Sequence, residues 1–108
     1  MGSQCGKSTK QEETMRIRRL TLDVDKALLQ PSLFDIAEAI DKVQGVKGFN
    51  ISVSEIDLET VGTNITVEGD DIDHRALFKA IEATGAMVHS VDEIVAGEHL
   101  VERIERSR

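Results

Sequence analysis

Between Arg16 and Gly97 the spacing of apolar positions changes several times, and each change marks an element. R-I-R-R-L-T-L-D-V sets Leu20, Leu22 and Val24 against Arg19, Thr21 and Asp23. That two-residue period belongs to a strand with one buried face. After Pro31 the period lengthens: Leu33, Ile36, Ile40 and Val43 recur along one face of a helix. Ser32 can cap that helix, with Asp35 completing a capping box, and Gly45 supplies the left-handed residue that commonly ends one. F-N-I-S-V-S-E-I returns to strand, with Phe49, Ile51 and Val53 on one side and Asn50, Ser52 and Ser54 on the other. D-L-E-T-V-G reads as a turn and T-N-I-T-V-E-G as a third strand, paired with the second in a hairpin that is irregular near Gly62.

Asp73 caps a second helix, with Ile72 and Leu77 at staple spacing. Leu77, Ala80, Ile81 and Thr84 form its buried stripe, and Gly85 closes it. A-M-V-H-S-V-D-E-I-V-A-G is a fourth strand broken at Gly97, and H-L-V-E-R-I fits a short C-terminal strand or a last helical turn, the strand being preferred. The order βαββαβ predicts an α+β, ferredoxin-like sandwich: one antiparallel four-stranded sheet with two helices on one face. The other face, carrying Asn50, Ser52, Ser54, Asn64 and Thr66, is polar but uncharged and suits wet contacts between subunits. Residues 1–14 are expected to be a disordered leader or tag, 15–105 the domain, and 106–108 a tail.

Composition narrows the partners. The chain has 108 residues, 40% of them hydrophobic, with three Phe and no Trp or Tyr, so its core is aliphatic. A formal net charge of −7 argues against nucleic acid, which needs clustered Lys and Arg. A lone Cys5 excludes an internal disulfide and a Cys-rich zinc site. No apolar run approaches the ~20 residues of a membrane span, and no secretory h-region appears. The expectation is a cytoplasmic protein without a membrane partner.

The opening run G-S-Q-C-G-K-S-T imitates two motifs and satisfies neither. A phosphate-binding loop needs G-x-x-x-x-G-K-[ST] behind a strand, whereas Gly2 and Gly6 are one residue too close and only Met1 precedes them. Myristoylation wants Ser or Thr at the sixth position, which here is Gly6. Palmitoylation of Cys5 would give one weak anchor, and a membrane-tethered adaptor through Gly2 and Cys5 is a third reading behind the two given below.

G-V-x-G-x-N-I within Gly45–Ile51, S-E-I-D-x-E-T over Ser54–Thr60, the helix within Gly69–Ala83 and H-S-V-D-E-I-V-A-G over His89–Gly97 carry a resemblance. Together they resemble domain-of-unknown-function family 211, a group of uncharacterised archaeal proteins, over about residues 15 to 104. Thr84-Gly85-Ala86 departs from a glycine pair usual in the family, and residues 1–14 have no counterpart. The resemblance implies a ferredoxin-like fold, a cytoplasmic location and assembly into higher oligomers, expected as rings. It implies no enzymatic activity.

Three groups of residues could carry chemistry. His89, Ser90, Asp92 and Glu93 combine imidazole and carboxylates, able to meet a ligand or cation or to act as acid and base. On a regular strand, however, His89 and Glu93 share a face with Val91 while Asp92 lies opposite, unless a bulge re-aims one of them. Asp70, Asp71 and Asp73 lie near a helix N-terminus, where the helix dipole alone accounts for Asp71 and Asp73. Glu55, Asp57 and Glu59 line a hairpin connection, where hydration suffices to explain them. A cation drawn to Glu55, Asp57, Asp70, Asp71 or Asp73 would be calcium or magnesium, which need several converging oxygens; no cofactor is otherwise indicated. The basic run Arg16, Arg18 and Arg19 lacks interleaved aromatics and fits acidic surfaces of a neighbouring subunit better than a nucleic acid. The expected protein is thus a non-enzymatic homo-oligomer binding a cation or small ligand at subunit interfaces. The alternative is a metal-assisted acid/base enzyme using His89 with Asp92 or Glu93.

Overall fold

The computed structural model describes residues 15–102. They run β1 (Ile17–Ala27), α1 (Leu33–Asp41), β2 (Val46–Ile56), β3 (Thr60–Gly69), α2 (His74–Ala83) and β4 (Met87–Ala96). The strands form one antiparallel sheet in the order β2-β3-β1-β4, the ferredoxin-like α+β arrangement that the element order predicts. The leader 1–14 and the tail 106–108 lie outside the described residues.

Strand alternation sorts the side chains into two faces. Leu20, Leu22 and Val24 of β1 and Val61, Thr63, Ile65 and Val67 of β3 are buried beneath the helices. Ile36 and Ile40 of α1 and Leu77 and Ile81 of α2 meet them from above. Both helix starts are fixed as their sequences suggest. Asp35 N–H donates to Ser32 Oγ at 3.1 Å and Ser32 N–H to Asp35 Oδ2 at 3.0 Å, while Ala76 N–H donates to Asp73 Oδ1 at 3.1 Å.

Two expectations are corrected. Helix α1 ends at Lys42, whose φ of −88° is right-handed, so Gly45 is not its cap. Gly45 has a φ of +94°, and a Cβ there would stand 2.5 Å from the Asp71 carbonyl oxygen. Its place is set by a close approach of two loops. The extra C-terminal strand does not form among residues 97–102. Gly97, with φ +104°, turns the chain off the sheet edge. The carbonyls of Gly97 and Glu98 then accept from Arg18 Nη1 at 3.0 and 2.9 Å, leaving no ladder for them to join.

Five bulges interrupt the pairing. Register shifts put an extra residue in β1 at Arg18, in β4 at His89 and at Asp92, and in β2 at Lys47 and at Ser54. The shift at Ser54 lies opposite Gly62 and is the irregularity expected there.

Candidate functional site

The face of the sheet away from the helices is open. Asn50, Ser52, Ser54 and Asn64 on it are exposed and Thr66 half-buried. Ser52 Oγ donates to Asn50 Oδ1 at 2.9 Å within the same strand.

Along the β1–β4 side of this face the bulges decide what gathers. Val91 pairs with Leu22 on the helix side of the sheet, where this edge strand leaves it exposed, whereas Glu93 pairs with Thr21 and Ser90 with Asp23 on the open side. His89 and Glu93 thus share a face, as expected of the strand, but Val91 leaves that face and Asp92 joins it, the re-aiming by a bulge that the sequence allowed for. An extra residue inserted at His89 and another at Asp92 shift the alternation twice. Ser90 Oγ donates to Asp92 Oδ1 at 2.9 Å, Thr21 Oγ1 to Glu93 Oε1 at 3.3 Å, and His89 Nδ1 stands 3.8 Å from Asp25 Oδ2. His89, Ser90, Asp92 and Glu93 thus lie together beside Asp23 and Asp25 as one polar strip. Those two aspartates escaped the sequence reading because only strand pairing brings them to β4. The strip is solvated, with the His89 side chain 66% exposed, and 3.8 Å is longer than the ~3 Å of a base held by an orienting partner. Its groups can donate and accept hydrogen bonds to an adjoining surface.

The acidic residues elsewhere are not brought together. Glu55 pairs with Gly62 and Asp57 N–H donates to Thr60 O in the hairpin turn. Asp70, Asp71 and Asp73 follow the other end of β3, a strand of ten residues or ~33 Å. Asp70 binds Arg16 at 2.6 Å, Asp71 turns the backbone with φ 59°, and Asp73 caps α2. Among the described residues no group of three or more His, Cys, Asp or Glu is arranged to hold a metal ion.

The basic run finds its carboxylates within the chain. Arg16 holds the Asp70 carboxyl below its ordinary range, through the hydrogen bond first and the charge second. Arg19 Nε donates to Glu68 Oε2 at 2.9 Å, and its two Nη atoms meet the two oxygens of Glu102, each at 3.2 Å. Glu93 adds an ion pair at 3.7 Å. The same hydrogen bonding, reinforced by charge, lowers the Glu102 carboxyl and raises the Arg19 guanidinium. Segment 97–102 is thereby drawn against one end of the open face.

A four-stranded antiparallel sheet, helices on one side and an uncovered polar face on the other, defines a ferredoxin-like α+β protein. The chain belongs to the family described as uncharacterized ArCR, DUF211, whose sequence profile matches residues 18–108. It is 38% identical over 88 residues to an uncharacterized protein of Methanocaldococcus jannaschii, MJ0319, a match spanning 82% of this chain and 90% of that protein. Among the described residues no helix is long and apolar enough to cross a membrane.

Proposed function

We propose that the protein is a non-enzymatic homo-oligomer, a ring, that binds a small ligand or cation where subunits meet and serves a regulatory or sensing role. The observation that carries this reading is the open sheet face, with the strip of His89, Ser90, Asp92 and Glu93 on it. A face of paired hydroxyls, amides and carboxylates without a helix above it suits a hydrated contact with another copy.

The apolar surface supports the same reading. Leu29 is 80% exposed, Ile56 66% and Leu58 93%, all at one end of the sheet, where Leu28 N–H ties the β1–α1 loop to Glu59 O in the hairpin. Clustered exposed apolar side chains favour a protein partner. A calcium or magnesium ion at such a contact would draw carboxylates from two chains, since one chain keeps Glu55 and Asp57 far from Asp70, Asp71 and Asp73.

Native mass spectrometry tests the proposal, because it reports subunit number and bound ions or metabolites together. A ring carrying bound species is the expected result, and bare monomers would overturn it. His89→Ala should loosen the assembly. An intact oligomer that loses a metal-dependent turnover would instead favour acid/base catalysis by His89 with Asp92 or Glu93.

A further inference from the structure

The open face carries a second feature, at the end opposite the hairpin. Gly48, Glu68 and Arg19 form a row across β2, β3 and β1, since Glu68 pairs with both of the others. The bulges at Arg18 and Lys47 fall beside this row. Arg18, Arg19 and Lys47 consequently line one depression of about 430 Å³, although the chain as a whole is acidic. Bulges are a common means of re-aiming a side chain toward a site. Gly48 leaves the floor bare, and a Cβ there would meet nothing within 4 Å.

One of the residues lining this depression already holds a carboxylate of the chain. Arg19 grips Glu102 by two parallel bonds, one to each carboxylate oxygen. This fork is the geometry by which guanidinium groups bind carboxylates and phosphates. Arg18 holds the same segment through the Gly97 and Glu98 carbonyls, and Leu100 forms a wall of the depression. Glu102 is 59% exposed and lies in a segment without regular structure, so its pairing is readily exchanged for another anion. Lys47 makes no ion pair among the described residues. Glu68 and Asp70 also line the depression, each paired with an arginine. Their carboxylates offset part of the positive charge that Arg18, Arg19 and Lys47 bring to it.

We propose that this depression is a binding site for a small molecule bearing a carboxylate or phosphate group, and that Glu102, which does not line it, holds the Arg19 fork as an internal competitor. An incoming oxyanion takes the Arg19 fork and the Lys47 ammonium, and segment 97–102 is released from the sheet. The site lies within one chain, so it stands or falls separately from the assembly proposed above.

The test is a titration of the full chain with inorganic phosphate, at ionic strength held constant with chloride, followed by the amide resonances of Gly48 and Gly69 and the Arg19 Nε–H. Saturable shifts are expected. Glu102→Gln should tighten apparent binding about two- to sixfold, because removing a competitor held by an exposed pair restores the fraction of open sites. Arg19→Gln should abolish saturation. Lys47→Gln, which removes no ion pair among the described residues, should weaken binding and keeps the test decisive if the arginine variant fails to fold. Linear shifts without saturation, or unchanged or weaker binding in Glu102→Gln, would overturn the proposal.

Discussion

The carbonyl of Gly45 occupies the place that a β-carbon on Gly69 would take. The same carbonyl accepts the Asp70 N–H at 3.0 Å, so the α1–β2 loop and the end of β3 are locked backbone to backbone. This contact fixes the end of the sheet from which Asp70 reaches Arg16.

Gly69→Ala should therefore be destabilising by about 3 kcal/mol, since backbone rather than a flexible side chain must move. Gly48→Ala, one residue from the same bulge but facing open space, should change stability by no more than about 0.5 kcal/mol. Urea denaturation of the two variants side by side separates close approach from glycine content.

Thr63 is fully buried, and its Oγ1 donates to the Val24 carbonyl at 2.8 Å. Thr63→Val keeps the shape and deletes the donor. A loss of about 1 kcal/mol is expected, seen as a lower denaturation midpoint at unchanged slope. An unchanged midpoint would mean that the hydroxyl contributes nothing net.

The capping box of α1 is reciprocal, each partner serving the other's backbone. Ser32→Ala should cost about 1 kcal/mol. Asp35→Ala should cost less in the Ser32→Ala background than in the native chain, and a double-mutant cycle on thermal unfolding measures that difference.

Two carboxyls report the sign of the pH dependence. Asp70 and Glu102 titrate below their ordinary values of 3.8 and 4.5 because Arg16 and Arg19 bind their charged forms. A carboxyl lowered by folding contributes stability that is fully present above its unfolded value and lost as pH falls through its folded one. Stability should thus decline from about pH 4.5 downward, modestly, since both pairs are exposed. Carbon-detected NMR titration should place the Asp70 midpoint below 3.8, and Arg16→Gln should raise it toward that value.

The sequence by itself determined the elements and their order. Alternation in β1, the Ser32–Asp35 box, the Asp73 cap, and the glycines at 85 and 97 are local features, set by a few bonds between near neighbours, and each is where its residues indicate. Two right-handed crossovers then leave little freedom in how the sheet is built. What only the tertiary structure decided is which charged side chains share a surface. The extra residues at Arg18, Lys47, His89 and Asp92 are defined against strands distant in the chain, and alternation along one strand carries no mark of them. They carry His89, Ser90, Asp92 and Glu93 to one side and set Arg18, Arg19 and Lys47 around one depression. Register between strands is settled by packing and pairing together, so a slip of one residue, invisible locally, exchanges buried for open.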